Sequence, residues 1–184
     1  MTTRARYVIA VSLLLVVAGC RGRTDRTDSG GVLLSASLNG EPTQLVTSTT
    51  KVLPTVPTTT LQNIVADPTG VSSPLENIEL RTYQVVYTRA DSGTRLPPPL
   101  VAPISGTVPV NGTLSITGLN LMTNAQFGVP PISDIDSFGI DRETGSIVVE
   151  LHVAITFFGR TLSGREVASA PTGFNMEVIQ SVRM

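Results

Sequence analysis

From Ser146 to Phe158 the chain alternates between two sets of positions. Ile147, Val149, Leu151, Val153, Ile155 and Phe157 fall on one parity, and Val148, Glu150, His152, Ala154, Thr156 and Phe158 on the other. A period of two sustained over this length predicts a strand with one face in a core and the other more exposed. A second strand is predicted over Ile78–Arg89, with a fault in its alternation. Ile78 and Leu80 share one parity, while Tyr83, Val85 and Tyr87 share the other. A bulge near Arg81–Thr82 reconciles them. Further strands are predicted over Val32–Leu38, Leu61–Ala66, Ile104–Val110, Thr113–Leu119 and Phe174–Val182. No segment carries an apolar stripe of helical period.

The punctuation agrees with a strand-rich reading. Sixteen glycines and thirteen prolines break the chain at short intervals, which favours short strands joined by turns. Asn111-Gly112 predicts a two-residue hairpin between its flanking strands, and Arg142–Gly145 predicts a turn before the long strand. Pro97-Pro98-Pro99 reads as a rigid turn. Seven or so strands at this spacing predict an all-β fold, an antiparallel immunoglobulin-like β-sandwich, with a Greek-key barrel as the alternative. The Trp and disulfide of antibody domains are absent, since the chain has no Trp and one Cys. Residues 42–60 are rich in Thr and Pro and read as an irregular or edge-strand segment, or else as a stiff extended linker.

The first twenty residues have a different character. Arg4 and Arg6 precede the apolar run Val8–Val17, which is followed by Ala18, Gly19 and Cys20. A positive start, a short apolar run and small residues at its end describe a secretory signal peptide. The run is too short for a bilayer, which needs ~20 apolar residues. Its end, Val17-Ala18-Gly19-Cys20, resembles the lipobox of bacterial lipoproteins, with Val17 where that family most often has Leu. The resemblance implies that Cys20 receives a thioether-linked diacylglyceryl group, that residues 1–19 are removed, and that Cys20 becomes the acylated first residue. Several acyl chains at ~0.8 kcal/mol per buried methylene make a stable anchor. It also implies an outer-membrane destination, because Arg21 stands where Asp marks inner-membrane retention. Residues 20–30 then read as the lipidated Cys and a polar tether, reaching on the order of 17 Å, and 31–184 as a single domain.

Composition narrows the function. The 13 basic and 14 acidic residues nearly cancel, and removal of the leader leaves 11 basic against 14 acidic. No basic stripe suited to nucleic acid remains. A single His and a single Cys cannot form a Cys/His zinc site or an internal disulfide. His152 lies on the solvent-side parity of its strand and has no identifiable triad partners. Asn111-Gly112-Thr113 matches a glycosylation acceptor, but the turn already explains the Asn-Gly pair. Arg160–Val167 reads as a loop with two exposed arginines.

The acidic group Asp134, Asp136, Asp141 and Glu143 is the strongest non-lipid candidate, because hard oxygen ligands suit calcium. The stretch Phe138–Ile147 resembles the hairpin that opens a strand in cadherin repeats, although the downstream calcium motifs are missing. Three functions therefore stand. The first is a lipid-anchored, non-enzymatic envelope module that binds a protein partner or has a structural role, with no cofactor and with edge-strand pairing as a contact mode. The second is a calcium-dependent adhesion module. The third is a carboxylate-based envelope hydrolase, which needs two carboxylates facing each other across a cleft.

Overall fold

A computed structural model of the chain describes residues 31–47, 52–69 and 72–181. Cys20, the lipobox-like motif that ends in it and the expected tether lie outside the described residues. Among those described there are nine strands: β1 (Val32–Asn39), β2 (Gln44–Thr47), β3 (Thr55–Val65), β4 (Ile78–Arg89), β5 (Leu100–Val108), β6 (Thr113–Asn120), β7 (Val148–Thr161), β8 (Glu166–Ala168) and β9 (Thr172–Gln180). Two short helices, α1 (Asn124–Phe127) and α2 (Ile132–Phe138), lie between β6 and β7.

The strands form two sheets. The smaller has the order β1-β3-β6, and the larger runs β2-β9-β7-β4-β5 with β8 also on β7. All neighbours are antiparallel except β2 and β9, which are parallel. The chain thus contributes its first strand to one sheet and its second to the other. Together with the crossing connections, this makes the fold an all-β sandwich of two sheets, consistent with an immunoglobulin-like or Greek-key arrangement. β8 and β9 share one side of β7 and are interrupted at Ser169, whose hydroxyl accepts the Phe157 N–H at 3.0 Å.

The core lies between the inner faces of the sheets. Val149, Leu151, Val153, Ile155 and Phe157 of β7 are all fully buried, each burial contributing ~1.5–3 kcal/mol. They meet Val32 and Leu34 of β1, Val56 and Leu61 of β3, and Leu119 of β6. In β4 the register slips between Leu80 and Thr82 against both neighbours, so Ile78, Leu80, Tyr83, Val85 and Tyr87 all point inward. The bulge expected from the broken alternation is present. His152 is exposed, with Nδ1 2.8 Å from Asn175 Oδ1. Ile147, expected inside, is 69% exposed because β7 starts one residue later.

Three expectations need correction. Asn111-Gly112 does turn the chain, with Asn111 at φ 54° and Gly112 N–H bonded to the Pro109 carbonyl at 2.9 Å. It is not a hairpin, however, because β5 pairs with β4 and β6 with β3. Turn chemistry is local, whereas partner choice depends on which face each strand buries. The Thr/Pro-rich segment divides: Gln44–Thr47 form the edge strand β2, as expected, whereas residues 55–60 open β3, the central strand of the smaller sheet. Finally, the two helices went unread. With four and seven residues they are too short to display a stripe, although Thr123-x-x-Gln126 forms a capping box that is a start signal in its own right.

Two tyrosines join the sheets across the core. Tyr83 donates its hydroxyl to the Asn120 carbonyl at 2.9 Å, and Tyr87 donates to the Leu121 carbonyl. Burial raises the pKa of both, most strongly for Tyr87. Tyr87→Phe removes a buried donor and leaves the Leu121 carbonyl without it. The expected cost is about 1–3 kcal/mol, measurable as a lower midpoint in urea unfolding with unchanged slope.

Candidate functional site

The strands end unequally at the two poles. One pole holds the start of β1, the end of β3, the Asn111-Gly112 turn and the β7–β8 turn. The other holds the ends of β4, β6 and β9 and the start of β7. The chemistry-bearing residues gather at the second pole, where the loops after β4 and after α2 meet.

Arg89, the last residue of β4, is only 3% exposed at its side chain. Its Nε and Nη2 donate to Asp91 at 2.6 and 2.9 Å, and Nη2 also donates to Asp141 Oδ2 at 2.9 Å. Asp141 is fully buried. Its other oxygen accepts from Arg95 Nη2 at 3.1 Å, and Thr144 Oγ1 donates to Oδ2 at 2.8 Å. Arg95 Nη2 also lies 2.9 Å from Asp134 Oδ2, a close ion pair without aligned hydrogen-bond geometry. Glu143 closes the network by accepting the backbone N–H groups of Thr94 and Arg95 at 2.9 and 3.0 Å.

The local fold puts these groups in place. Asp91 accepts the N–H groups of Gly93 and Glu150, which folds the loop after β4 back onto β7. The turn at Asp141 is closed by Asp141 N–H to the Ser146 carbonyl and by Gly145 N–H to the Asp141 carbonyl, both 2.7 Å. Arg89 hydrogen-bonding lowers the Asp91 pKa to about 2. The Thr94 hydroxyl and the Arg95 N–H lower Glu143 to about 2. Burial acts to raise Asp141, but the Arg89 and Thr144 hydrogen bonds outweigh it and its pKa is lowered. Arg89 is raised, because its bonds to Asp91 and Asp141 overcome the effect of burial.

Three of the four acids singled out in the sequence, Asp134, Asp141 and Glu143, therefore converge. Asp136 does not join them, and its carbonyl receives Gln180 Nε2 at 3.0 Å. The space a cation would take is filled by guanidinium groups. Among the described residues no group of three or more His, Cys, Asp and Glu side chains could hold a metal ion, so the calcium reading loses its ligands. The shifts also run against general-acid work by Asp91, Asp141 or Glu143, which needs a raised pKa. Arg89, Asp91, Thr94 and Arg95 were missed in the sequence. The signal was there in two arginines bracketing a Ser-Gly turn, in a chain that elsewhere concentrates acids.

No protein-family model and no curated protein matches the chain. Among solved structures, the X-ray structure of Northeast Structural Genomics Consortium target SoR45 is similar at 10% identity, over 81% of this chain and 88% of that one, with a TM-score of 0.39.

Two outcomes test the network. Asp141→Ala removes the buried carboxylate that Arg89 and Arg95 share and leaves Arg89 with Asp91 as its hydrogen-bonded partner, an expected cost of about 1–3 kcal/mol, read by chemical denaturation. Asp91 and Glu143 are held below their ordinary values of 3.8 and 4.5. Their stabilisation is therefore complete above about pH 5 and is lost as the pH falls toward 2. The melting temperature of the wild type should fall steeply over that window, and that of Arg89→Met, which lacks the partner of Asp91, should fall less.

Proposed function

We propose that this chain is a lipid-anchored, non-enzymatic module of the bacterial cell envelope, held in the outer membrane by Cys20 and engaging a protein partner through its immunoglobulin-like domain. The Val17-Ala18-Gly19-Cys20 motif supports the anchor, and Arg21 after it supports the outer-membrane destination. The observation that carries the binding role is the polarity of the domain. The described chain enters at one pole, with Gly31 bonded to Ala66 beside the Asn111-Gly112 turn. The opposite pole is braced by buried ion pairs. There Phe138, Ile140 and Ile147 stand 59%, 41% and 69% exposed around the Asp141 turn, with Arg142 over the Phe138 ring at 5.0 Å. Apolar side chains on a rigid turn suit a binding surface, since little order is lost when a partner covers them.

Edge pairing is the weaker contact mode. β5 carries Pro103 in its middle and Gly106 at φ 153°, and β2 has four residues. Both features blunt an edge.

The anchor is tested by growth with radiolabelled palmitate. The label should enter the wild type and be absent from Cys20→Ala, and equal labelling of the two refutes the anchor. The partner surface is tested by a photo-crosslinking residue at Ile147 in the native envelope. A discrete adduct is expected there, lost in Phe138→Asp and absent when the crosslinker replaces Ser105. Adducts of equal yield at both positions overturn the assignment.

A further inference from the structure

We infer that the entry pole is a bilayer-contacting surface, which rests its exposed leucines in the lipid headgroup layer and holds the domain upright. This rests on the anchoring reading above and goes beyond it, because an acyl anchor alone leaves the domain free to tumble on its tether.

The pole carries apolar side chains that the fold actively keeps outside. Leu75 is 57% and Leu162 is 54% exposed. Leu75 sits in a single helical turn, Pro74–Glu76, that opens with a capping box. The Ser73 hydroxyl accepts the Leu75 N–H at 3.2 Å, and the Glu76 carboxylate accepts the Ser73 N–H at 3.1 Å. Asn63, itself buried, donates to the Glu76 carbonyl at 2.9 Å and ties that turn to the core. Leu162 sits in the β7–β8 turn, which is closed by Thr161 N–H to the Arg165 carbonyl at 2.8 Å. The two turns are bonded to each other, with Leu162 N–H to the Asn77 carbonyl at 3.0 Å and Ser163 N–H to the Leu75 carbonyl at 2.9 Å. These bonds fix the backbone of both turns, and with it the Cα positions of both leucines, at the surface of this pole. Leu33 and Ile64, directly opposed on the outer face of β1 and β3, add 53% and 38% exposed aliphatic groups at the same end.

The occupant follows from where the chain enters. Ten residues, 21–30, separate Cys20 from Gly31, and ten residues span at most ~35 Å. β1 starts at this pole, so this is the end a lipid on Cys20 keeps near the membrane. β7 runs the length of the domain in 14 residues, or about 45 Å at strand rise. The Ile147 pole is therefore the far end. The pole carries no excess of basic groups, because Asp67, Glu76 and Glu79 stand there with Arg165 and the Arg160–Glu166 pair, so the contact does not depend on anionic headgroups. The contact is apolar, of the kind that enters ~5–10 Å into the headgroup boundary.

The test uses the full lipidated protein in vesicles of phosphatidylethanolamine and phosphatidylglycerol. Cys20 is acylated, so a single added cysteine takes an environment-sensitive fluorophore specifically. Leu75→Cys, Leu162→Cys and Ile147→Cys are labelled in turn, and quenching by lipids brominated along the acyl chain is compared. Labels at positions 75 and 162 should be blue-shifted and quenched roughly threefold or more above the label at 147, as burial at the headgroup boundary requires. Equal quenching at the two poles overturns the inference while leaving the anchor intact. So do labels at 75 and 162 that are blue-shifted but unquenched, which assign the surface to a protein. Protein that does not float with the vesicles sinks the anchor, and the inference falls with it.

Discussion

A carboxylate taken wholly out of water, and answered by two guanidinium groups, sets one end of this molecule. Asp141 has no solvent to support its charge, so its position is dictated by Arg89 from β4 and Arg95 from the loop that follows. That dictates much else. The turn at Asp141 starts the long β7 strand in its register against β4. The loop after β4 is held against the same turn through Glu143, and α2 is drawn in through Asp134. A buried ion pair is weak evidence for net stability, since desolvation offsets much of the attraction. Its value here is specificity of arrangement, because the Asp141 carboxylate is met by both guanidinium groups only when the loop after β4 and the turn before β7 lie side by side.

How much was legible in the sequence follows from how far each signal reaches. β7 announced itself because a strand between two packed layers must alternate, and 14 residues give that pattern room. The bulge in β4 was visible for the same reason, since Tyr83, Val85 and Tyr87 could join Ile78 and Leu80 inside only if one position was skipped. Features set by contacts distant in sequence were not visible. The Asn111-Gly112 pair specifies a reversal but is silent on whether its arms pair. Thr55–Thr60 lacks the apolar alternation of a central strand, yet it lies between β1 and β6 because both of its neighbours bring the pairing groups. Asp134, Asp141 and Glu143 were noticed as a group of like charges, and like charges close in sequence suggest a missing cation. The cations were already in the chain, some fifty residues earlier. Only the fold brings Arg89 and Arg95 alongside.

The two poles illustrate different ways of handling exposed apolar surface. At the far pole Arg142 lies over Phe138, which shields part of the ring while keeping a charge in water. At the entry pole the leucines stand on turns that are bonded to each other, with a paired Arg160 and Glu166 beside them. The free strand edges between the poles are interrupted by Pro103, Gly106 and Gly118. Edge-to-edge pairing along these sides of the sandwich is thereby disfavoured.

The placement of β1 has a mechanical consequence. Its eight residues lie antiparallel along β3, and the chain enters at the end farthest from Ile147. Tension drawn between those two ends runs along the strand axis. Every hydrogen bond of the β1–β3 ladder then shares the load in shear, where a perpendicular pull would open them one after another like a zipper. A domain strung this way between two attachment points resists extension with its whole first strand at once.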